Sequence, residues 1–237
     1  MPRGKLIAIE GIDGSGKRTQ LDLLARELDA RGLATVRLSF PRYETSFGKL
    51  VARYLNGEFG PLEVVDPHFS ALLYANNRLE TKPEMDSALA AGNMVLADRY
   101  VGSNLAHQSS RVTPDLREEF LAWLAHLEYK LYGLPVEDLV VYLHVPAGEA
   151  HRLVGLKAAR SYTAMQRDLH EADQSHLQKA AEVYDQLATQ PHWARIECTN
   201  GVSGGLYAPE EIHRKLLDLV ETRILSGAST PTVKGQL

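Results

Sequence analysis

An apolar run, Leu6-Ile-Ala-Ile-Glu10, passes directly into Gly11-Ile-Asp-Gly-Ser-Gly16-Lys17-Arg18-Thr19-Gln20 and then into the amphipathic stretch Thr19 to Leu28. A buried strand, a glycine turn and a helix in that order admit few folds. Gly11, Gly14 and Gly16 let the backbone turn its N–H groups inward. The helix that starts after Gly16 aims its positive end at the same point, and Lys17 adds a full charge. With Ser15 and Thr19 beside them, these residues make a cradle for a polyphosphate, and a nucleoside triphosphate is the first candidate.

One position departs from the pattern Gly-x4-Gly-Lys-[Ser/Thr]. The residue after the lysine ordinarily supplies a hydroxyl to Mg²⁺, and here it is Arg18, a side chain that only donates. Either Thr19 takes over by a shift of register, or the metal is held by waters and carboxylates elsewhere with Arg18 turned toward phosphate or solvent. Adjacent helical side chains point about 100° apart, which favours the second. Asp13 is also unexpected, because a carboxylate within a phosphate loop repels phosphate. It must serve a neighbour such as a sugar hydroxyl or the metal.

At 237 residues and 44% apolar content, the chain can bury one large α/β core, so residues 1–225 are expected to form one domain. The formal charge of −4 argues against a nucleic-acid partner, which demands a positive surface. The single Cys198 rules out internal disulfides and suits a reducing compartment. No leader and no long apolar run is evident, so no membrane is expected and the cytoplasm is the expected location. Residues 226–237 mix Gly, Ser, Thr and Pro without an apolar period and read as a disordered tail.

Strand-like and helix-like runs alternate in the manner of a parallel sheet with helices on both faces. Strands are expected at Lys5–Glu10, Thr35–Phe40, Met94–Asp98, Leu139–Val145 and Ala194–Cys198. Helices are expected at Gly16–Arg31, Phe47–Asn56, Pro67–Ala91, Thr113–Tyr132, Ala147–Leu156, Ala164–Gln190 and Pro209–Leu225. Right-handed crossovers would bring the C-terminal ends of all strands to one rim, where such sheets bind ligands.

That rim gathers residues of suitable chemistry. After the second strand, Phe40-Pro41-Arg42-Tyr43 offers an aromatic to stack on a base and a cation and hydroxyl for a phosphate. The plain alternative makes Phe40 a core residue and Arg42 a solvated charge. After the third strand come Asp98-Arg99-Tyr100 and Ser103-Asn104-Leu105-Ala106-His107. Asp98 stands where a carboxylate holds Mg²⁺ directly or through water, unless it is spent in a buried pair with Arg99. Arg78 lies in Tyr74-Ala-Asn-Asn-Arg78, and its alternative is a solvated helix arginine.

Taken together, Glu10–Gln20, Phe40–Tyr43, Tyr74–Arg78 and Asp98–Gln108 resemble the thymidylate (dTMP) kinase family, from about Lys5 to Leu225. The resemblance implies a P-loop NTPase-type fold with a five-stranded parallel sheet and a short lid at about 150–163. It implies transfer of the ATP γ-phosphoryl group to dTMP with Mg²⁺, in dTTP synthesis, by a homodimer that pairs through helices such as Pro67–Ala91 and Thr113–Tyr132. On this resemblance Phe40 stacks on thymine, Arg78 donates to its carbonyl, and Asn104 contacts and Tyr74 walls the base. Arg99 meets the acceptor phosphate with Arg42 and Tyr43, while Asp13 meets the sugar 3′-hydroxyl region and the metal. His107 stands where many members have a tyrosine that crowds out a ribose 2′-hydroxyl. A smaller histidine can itself bind a hydroxyl, which leaves the choice between deoxyribose and ribose open.

Some members carry a catalytic arginine within the phosphate loop. Gly14 occupies that point here, so the resemblance is to members that supply arginine from the lid. Arg152, Lys157 and Arg160 are the candidates, with Arg152 and Arg160 favoured. Arg167, Asp168 and Glu171 follow as residues that either close over the acceptor or form a solvated face. Other readings are a UMP, CMP, dUMP or AMP kinase, a nucleotide-binding protein disabled by Arg18, and a GTPase switch. The last lacks any Asn-Lys-x-Asp base reader.

Overall fold

A computed structural model describes residues 2–154, 174–200 and 205–226. Strands β1 (Leu6–Glu10), β2 (Thr35–Ser39), β3 (Met94–Asp98), β4 (Leu139–His144) and β5 (Trp193–Glu197) form one sheet in the order β2-β3-β1-β4-β5. Every pairing is parallel. Each expected strand is present, its ends shifted by at most one residue. All five residues of β1 are buried, which requires cover on both faces of the sheet. Register sets Ile9 and Ser39 on either side of Asp98 and Glu10 beside Tyr142. The C-terminal ends of β1, β2 and β3 therefore meet at one rim.

The described helices are α1 (Lys17–Ala30), α2 (Ser46–Leu55), α3 (Pro67–Ala90), α4 (Val101–Ser109), α5 (Arg117–Ala125), α6 (Ala147–Val154), α7 (Gln174–Leu187) and α8 (Pro209–Val220). Helix α1 lies against β1, β2 and β3 and beside α8, where Gln20 Nε2 donates to the Pro209 carbonyl at 2.9 Å. Helix α4 packs between α3 and α7. Thr45 caps α2 by accepting from the Gly48 N–H at 3.1 Å. Asp66 caps α3 by accepting from the His68 N–H at 2.7 Å, with Pro67 in the first turn. Each such cap stabilises by about 1 kcal/mol.

Two expectations change. The segment after β3 is a helix, α4, that the sequence pattern did not reveal. The expected helix Thr113–Tyr132 begins only at Arg117 and, from His126 to Leu131, continues as a π turn. A second π turn, Glu221–Leu225, ends the last helix. The expected helix Ala164–Gln190 is described only from Gln174, and most of the expected lid, with Lys157, Arg160, Arg167, Asp168 and Glu171, lies outside the described residues. Residues 227–237 of the expected tail also lie outside them.

Candidate active site

A cavity of ≈ 520 Å³ opens at the sheet rim and is lined at one end by Asp13, Gly16, Lys17, Arg18 and Thr19 and at the other by Phe40, Tyr74, Arg78 and Asn104. Asp98, Arg99, Ser103 and His107 lie between them. Gly11, Gly14 and Gly16 all have positive φ, and no side chain caps α1, so its first N–H groups remain directed at the loop. The Lys17 ammonium is buried at the centre, donating to the Gly11 and Ile12 carbonyls at 2.9 Å each. This concentrates positive potential where a polyphosphate would lie. Arg18 turns away: its Nε donates to Asp22 at 3.0 Å on the exposed side of α1. Of the two directions open to Arg18, it takes solvent.

The cavity floor is organised by Glu10, a residue that sequence reasoning did not single out. Its carboxylate is fully buried at the end of β1. Oε1 accepts from the N–H groups of Tyr100 at 2.7 Å and Ser103 at 3.0 Å, and Oε2 accepts from the Ser103 hydroxyl at 2.6 Å and the Tyr184 hydroxyl at 2.9 Å. Glu10 thus caps the N-terminus of α4 from a neighbouring strand, opposite the helix's positive end. That fixes the turn between β3 and α4, in which Arg99 adopts φ 66°, the only positive φ among the described non-glycine residues. An arginine in that conformation is strained, and the surrounding bonds hold it there.

Arg99 ties the site together. Nη1 donates to the Gly11 carbonyl at 3.2 Å and to Ser103 Oγ at 3.0 Å, and Nη2 donates to Asp13 Oδ1 at 2.8 Å. The unexpected acid of the phosphate loop is therefore paired with a cation. Burial acts to lower the Arg99 pKa, but Asp13, Tyr184, Asp98 and Glu10 hold it well above the ordinary value, and it stays charged. The expected alternative, a buried pair between Asp98 and Arg99, gives way to a partly buried pair between Asp13 and Arg99. Asp98 lines the same cavity.

His107 is buried and its two ring nitrogens have different neighbours. Nε2 lies 3.4 Å from Arg99 Nη1, which can only donate, and Nδ1 lies 3.3 Å from His176 Nε2 on α7. Acceptance at Nε2 puts the His107 proton on Nδ1, so His176 Nε2 accepts and its Nδ1 proton faces Ser110 Oγ at 3.4 Å. Ser110 in turn donates to the His107 carbonyl at 2.9 Å. Burial, Arg99 and His176 all push the His107 pKa well below the ordinary value, in keeping with a neutral ring.

At the far end, Phe40 is buried at the β2 terminus with its ring 5.8 Å from that of Tyr100, and Tyr74 stands edge-on to Tyr54 at 6.3 Å. Arg78 is not a solvated helix arginine: it is 2% exposed and forks onto Glu128, Nε to Oε2 at 2.5 Å and Nη2 to Oε1 at 2.6 Å. Asn104 Nδ2 donates to the same Oε1 at 2.8 Å and to the Ala71 carbonyl at 3.0 Å. Its Oδ1 is buried and meets no partner among the described residues.

The other expected contacts sort by place. Tyr43 lines the cavity, whereas Arg42 lines an adjoining cleft, its Nε donating to Glu44 at 2.9 Å and its Nη1 paired with Glu84. The turn that carries both is held by Asn77, which accepts from the Arg42 N–H at 2.9 Å and donates to Thr45 Oγ1 at 2.8 Å. Helix α6 carries Arg152, whose side chain lies outside the described residues. Glu10, Asn77, Glu128 and His176 were not singled out from sequence. A buried-strand carboxylate immediately before the loop was the one available signal, for Glu10. No helix among the described residues is long and apolar enough to cross a membrane.

Comparison with known proteins adds to this geometry. The family model described as thymidylate kinase matches residues 9–203. The thymidylate kinase of Mycobacterium tuberculosis is 34% identical over 186 residues, covering 78% of this chain and 86% of that protein. The human thymidylate kinase is 29% identical, covering 97% of this chain and 95% of that protein. A solved thymidylate kinase structure from Candida albicans shares the fold with a TM-score of 0.72 at 23% identity, covering 93% of this chain and 92% of that one.

Proposed function

Because the chain belongs to the thymidylate kinase family, we propose that it transfers the γ-phosphoryl group of ATP to dTMP, giving ADP and dTDP. The observation that carries this reading is the single cavity with a phosphate loop at one end and, at the other, an arginine and an asparagine oxygen beside a buried phenylalanine. Thymine presents a carbonyl next to an N3–H, which suits the Arg78 donors and Asn104 Oδ1, while Phe40 and Tyr74 flank the ring. Cytosine, with a bare N3, would leave Asn104 Oδ1 facing a lone pair.

A phosphate monoester loses its second proton near pH 6, so dTMP arrives mostly as a dianion and needs no general base. The protein has to bring two anions together in line and offset the charge that spreads over the transferred group. Lys17 and the α1 N–H groups hold the donor phosphates, Arg99 with Tyr43 meets the acceptor phosphate, and Arg152 or Arg160 reaches over from the lid. Arg42, held by Glu44 and Glu84, acts on the acceptor only by exchanging those partners.

The donor set suits Mg²⁺. Asp13 and Asp98 line the cavity beside the phosphate loop, and no cluster of three metal-binding side chains occurs among the described residues. Mg²⁺ characteristically takes one or two carboxylates together with waters and substrate phosphates rather than a protein cage. Held by Asp13 or Asp98, directly or through water, it would neutralise phosphate charge during transfer.

Residues 1–225 act as one kinase unit, which we read as cytoplasmic and homodimeric. The exposed apolar Phe69 on α3 and Leu116 before α5 support pairing through those helices. A coupled ADP-release assay with ATP and Mg²⁺ and a panel of dTMP, dUMP, dCMP, UMP, CMP and AMP tests the activity. Turnover led by dTMP is expected; turnover led by UMP or CMP, or none with any acceptor, would overturn the reading.

A further inference from the structure

We propose that Glu128 is the positioning residue that sets base specificity, by fixing the Arg78 and Asn104 side chains in one hydrogen-bonding polarity. The inference rests on the dTMP kinase reading and names the source of its selectivity for an imide base over cytosine.

Glu128 stands on the π turn His126–Leu131, far in sequence from either side chain that it holds. The Tyr132 N–H donates to the Leu127 carbonyl at 2.9 Å, the wider spacing of a π turn, and such turns recur at functional sites. The carboxylate is fully buried. It engages Nε and Nη2 of Arg78 in a fork, which leaves Nη1 as the guanidinium nitrogen outside that pair. Oε1 also receives Asn104 Nδ2.

A carboxylate can only accept, and so can the Ala71 carbonyl on the other side of Nδ2. The amide of Asn104 therefore has one orientation, with Oδ1 directed away from both. That oxygen is buried with no partner among the described residues, and Asn104 and Arg78 line the same cavity. The result is a donor from Arg78 and an acceptor from Asn104, set by one carboxylate shared between them and, at Asn104, by the Ala71 carbonyl as well. This pattern complements the carbonyl and N3–H of thymine or uracil, and is mismatched to the amine and bare N3 of cytosine. Glu128 touches neither base nor phosphate in this arrangement. Its effect passes through the two side chains.

The test compares dTMP, dCMP and N3-methyl-dTMP as acceptors for the wild-type enzyme, Glu128→Gln and Glu128→Asp. In Glu128→Gln one amide N–H must face a donor whichever way the group turns. Glu128→Asp keeps the charge opposite Arg78 but is too short to serve both partners. Each variant should raise KM for dTMP much more than it lowers kcat, and the kcat/KM preference for dTMP over dCMP should fall at least about tenfold. The wild-type enzyme should reject N3-methyl-dTMP, a result that needs no variant to fold. Variants that lose kcat and thermal stability while keeping the base preference would overturn the proposal, because that is the mark of a merely structural pair. Wild-type use of N3-methyl-dTMP as readily as dTMP would also overturn it. Failure of the wild type to phosphorylate dTMP at all would instead defeat the underlying functional reading.

Discussion

The Ala150 carbonyl oxygen lies 2.5 Å from the point where a Cβ on Gly14 would stand, so α6 rests directly on the phosphate loop. Gly14 also has φ 91°, where a side chain is strained whatever the space. Any side chain at this point of the loop and α6 in its present seat exclude each other. This gives a physical reason for the glycine in a chain expected to supply its catalytic arginine from the lid. Gly14→Ala should cost about 1–3 kcal/mol in chemical denaturation. It should also lower kcat by roughly tenfold, since displacing α6 displaces Arg152 with it. A variant of unchanged stability and turnover would show that the contact is unimportant.

Arg99 donates to Gly11, Ser103 and Asp13 and faces His107 Nε2, all from one planar group. A lysine carries the same charge but is a point donor and cannot span those acceptors. Arg99→Lys should therefore reduce kcat/KM for dTMP by about a hundredfold or more while binding of ATP changes little. Steady-state kinetics in each substrate, with ATP binding followed separately by calorimetry, would distinguish this from general collapse of the site.

The parts of the site that could be read in the sequence are contiguous. Strand β1, the loop from Gly11 and the start of α1 carry their own geometry, and so do Phe40–Tyr43 and Asp98–Arg99. What could not be read depends on distant partners. Glu128 looks like any acid on a helix until the fold brings Arg78 and Asn104 to it, and His176 gains meaning only beside His107. Helix α4 was missed for a related reason: all nine of its residues are buried, and its polar stripe of Ser103, Asn104, His107 and Gln108 turns into the cavity instead of toward solvent. Asn77 was visible in the motif Tyr74–Arg78, but its task, holding the turn at Arg42, is a tertiary one.

Glu10 offers a measure of how much the β3–α4 turn depends on one carboxylate. In Glu10→Gln the amide oxygen can still accept from the Tyr100 and Ser103 N–H groups, and the Ser103 and Tyr184 hydroxyls can rotate to accept from its N–H. The expected loss is about 1–2 kcal/mol, the difference between charged and neutral acceptors. Glu10→Ala strands the Tyr100 and Ser103 N–H groups and one of the two hydroxyls, since Ser103 and Tyr184 can bond only each other at 3.0 Å, and should cost about 3–5 kcal/mol or prevent folding. Equal losses in the two variants would mean that packing, not hydrogen bonding, dominates at this position.

A second buried acid makes stability depend on pH in a defined direction. Glu137, just before β4, accepts from the Tyr129 hydroxyl at 3.0 and 2.8 Å, and burial pushes its pKa from 4.5 up to about 8. The folded chain thus holds a proton that the unfolded chain releases above 4.5. The stability linked to this group is full below 4.5 and is lost as pH rises through about 8. His107 acts in the opposite sense: its pKa is depressed in the folded state, so its contribution is full above 6.5 and is lost as pH falls below that value. Glu137→Gln removes the first dependence and leaves the second. Urea unfolding at pH 4, 6.5 and 8.5 should show the variant gaining on the wild type as pH rises, with the smallest difference at pH 4. A variant that instead falls behind the wild type as pH rises would mean that Glu137 is ionised in the folded protein and held by the Tyr129 hydroxyl, reversing the sign argued here.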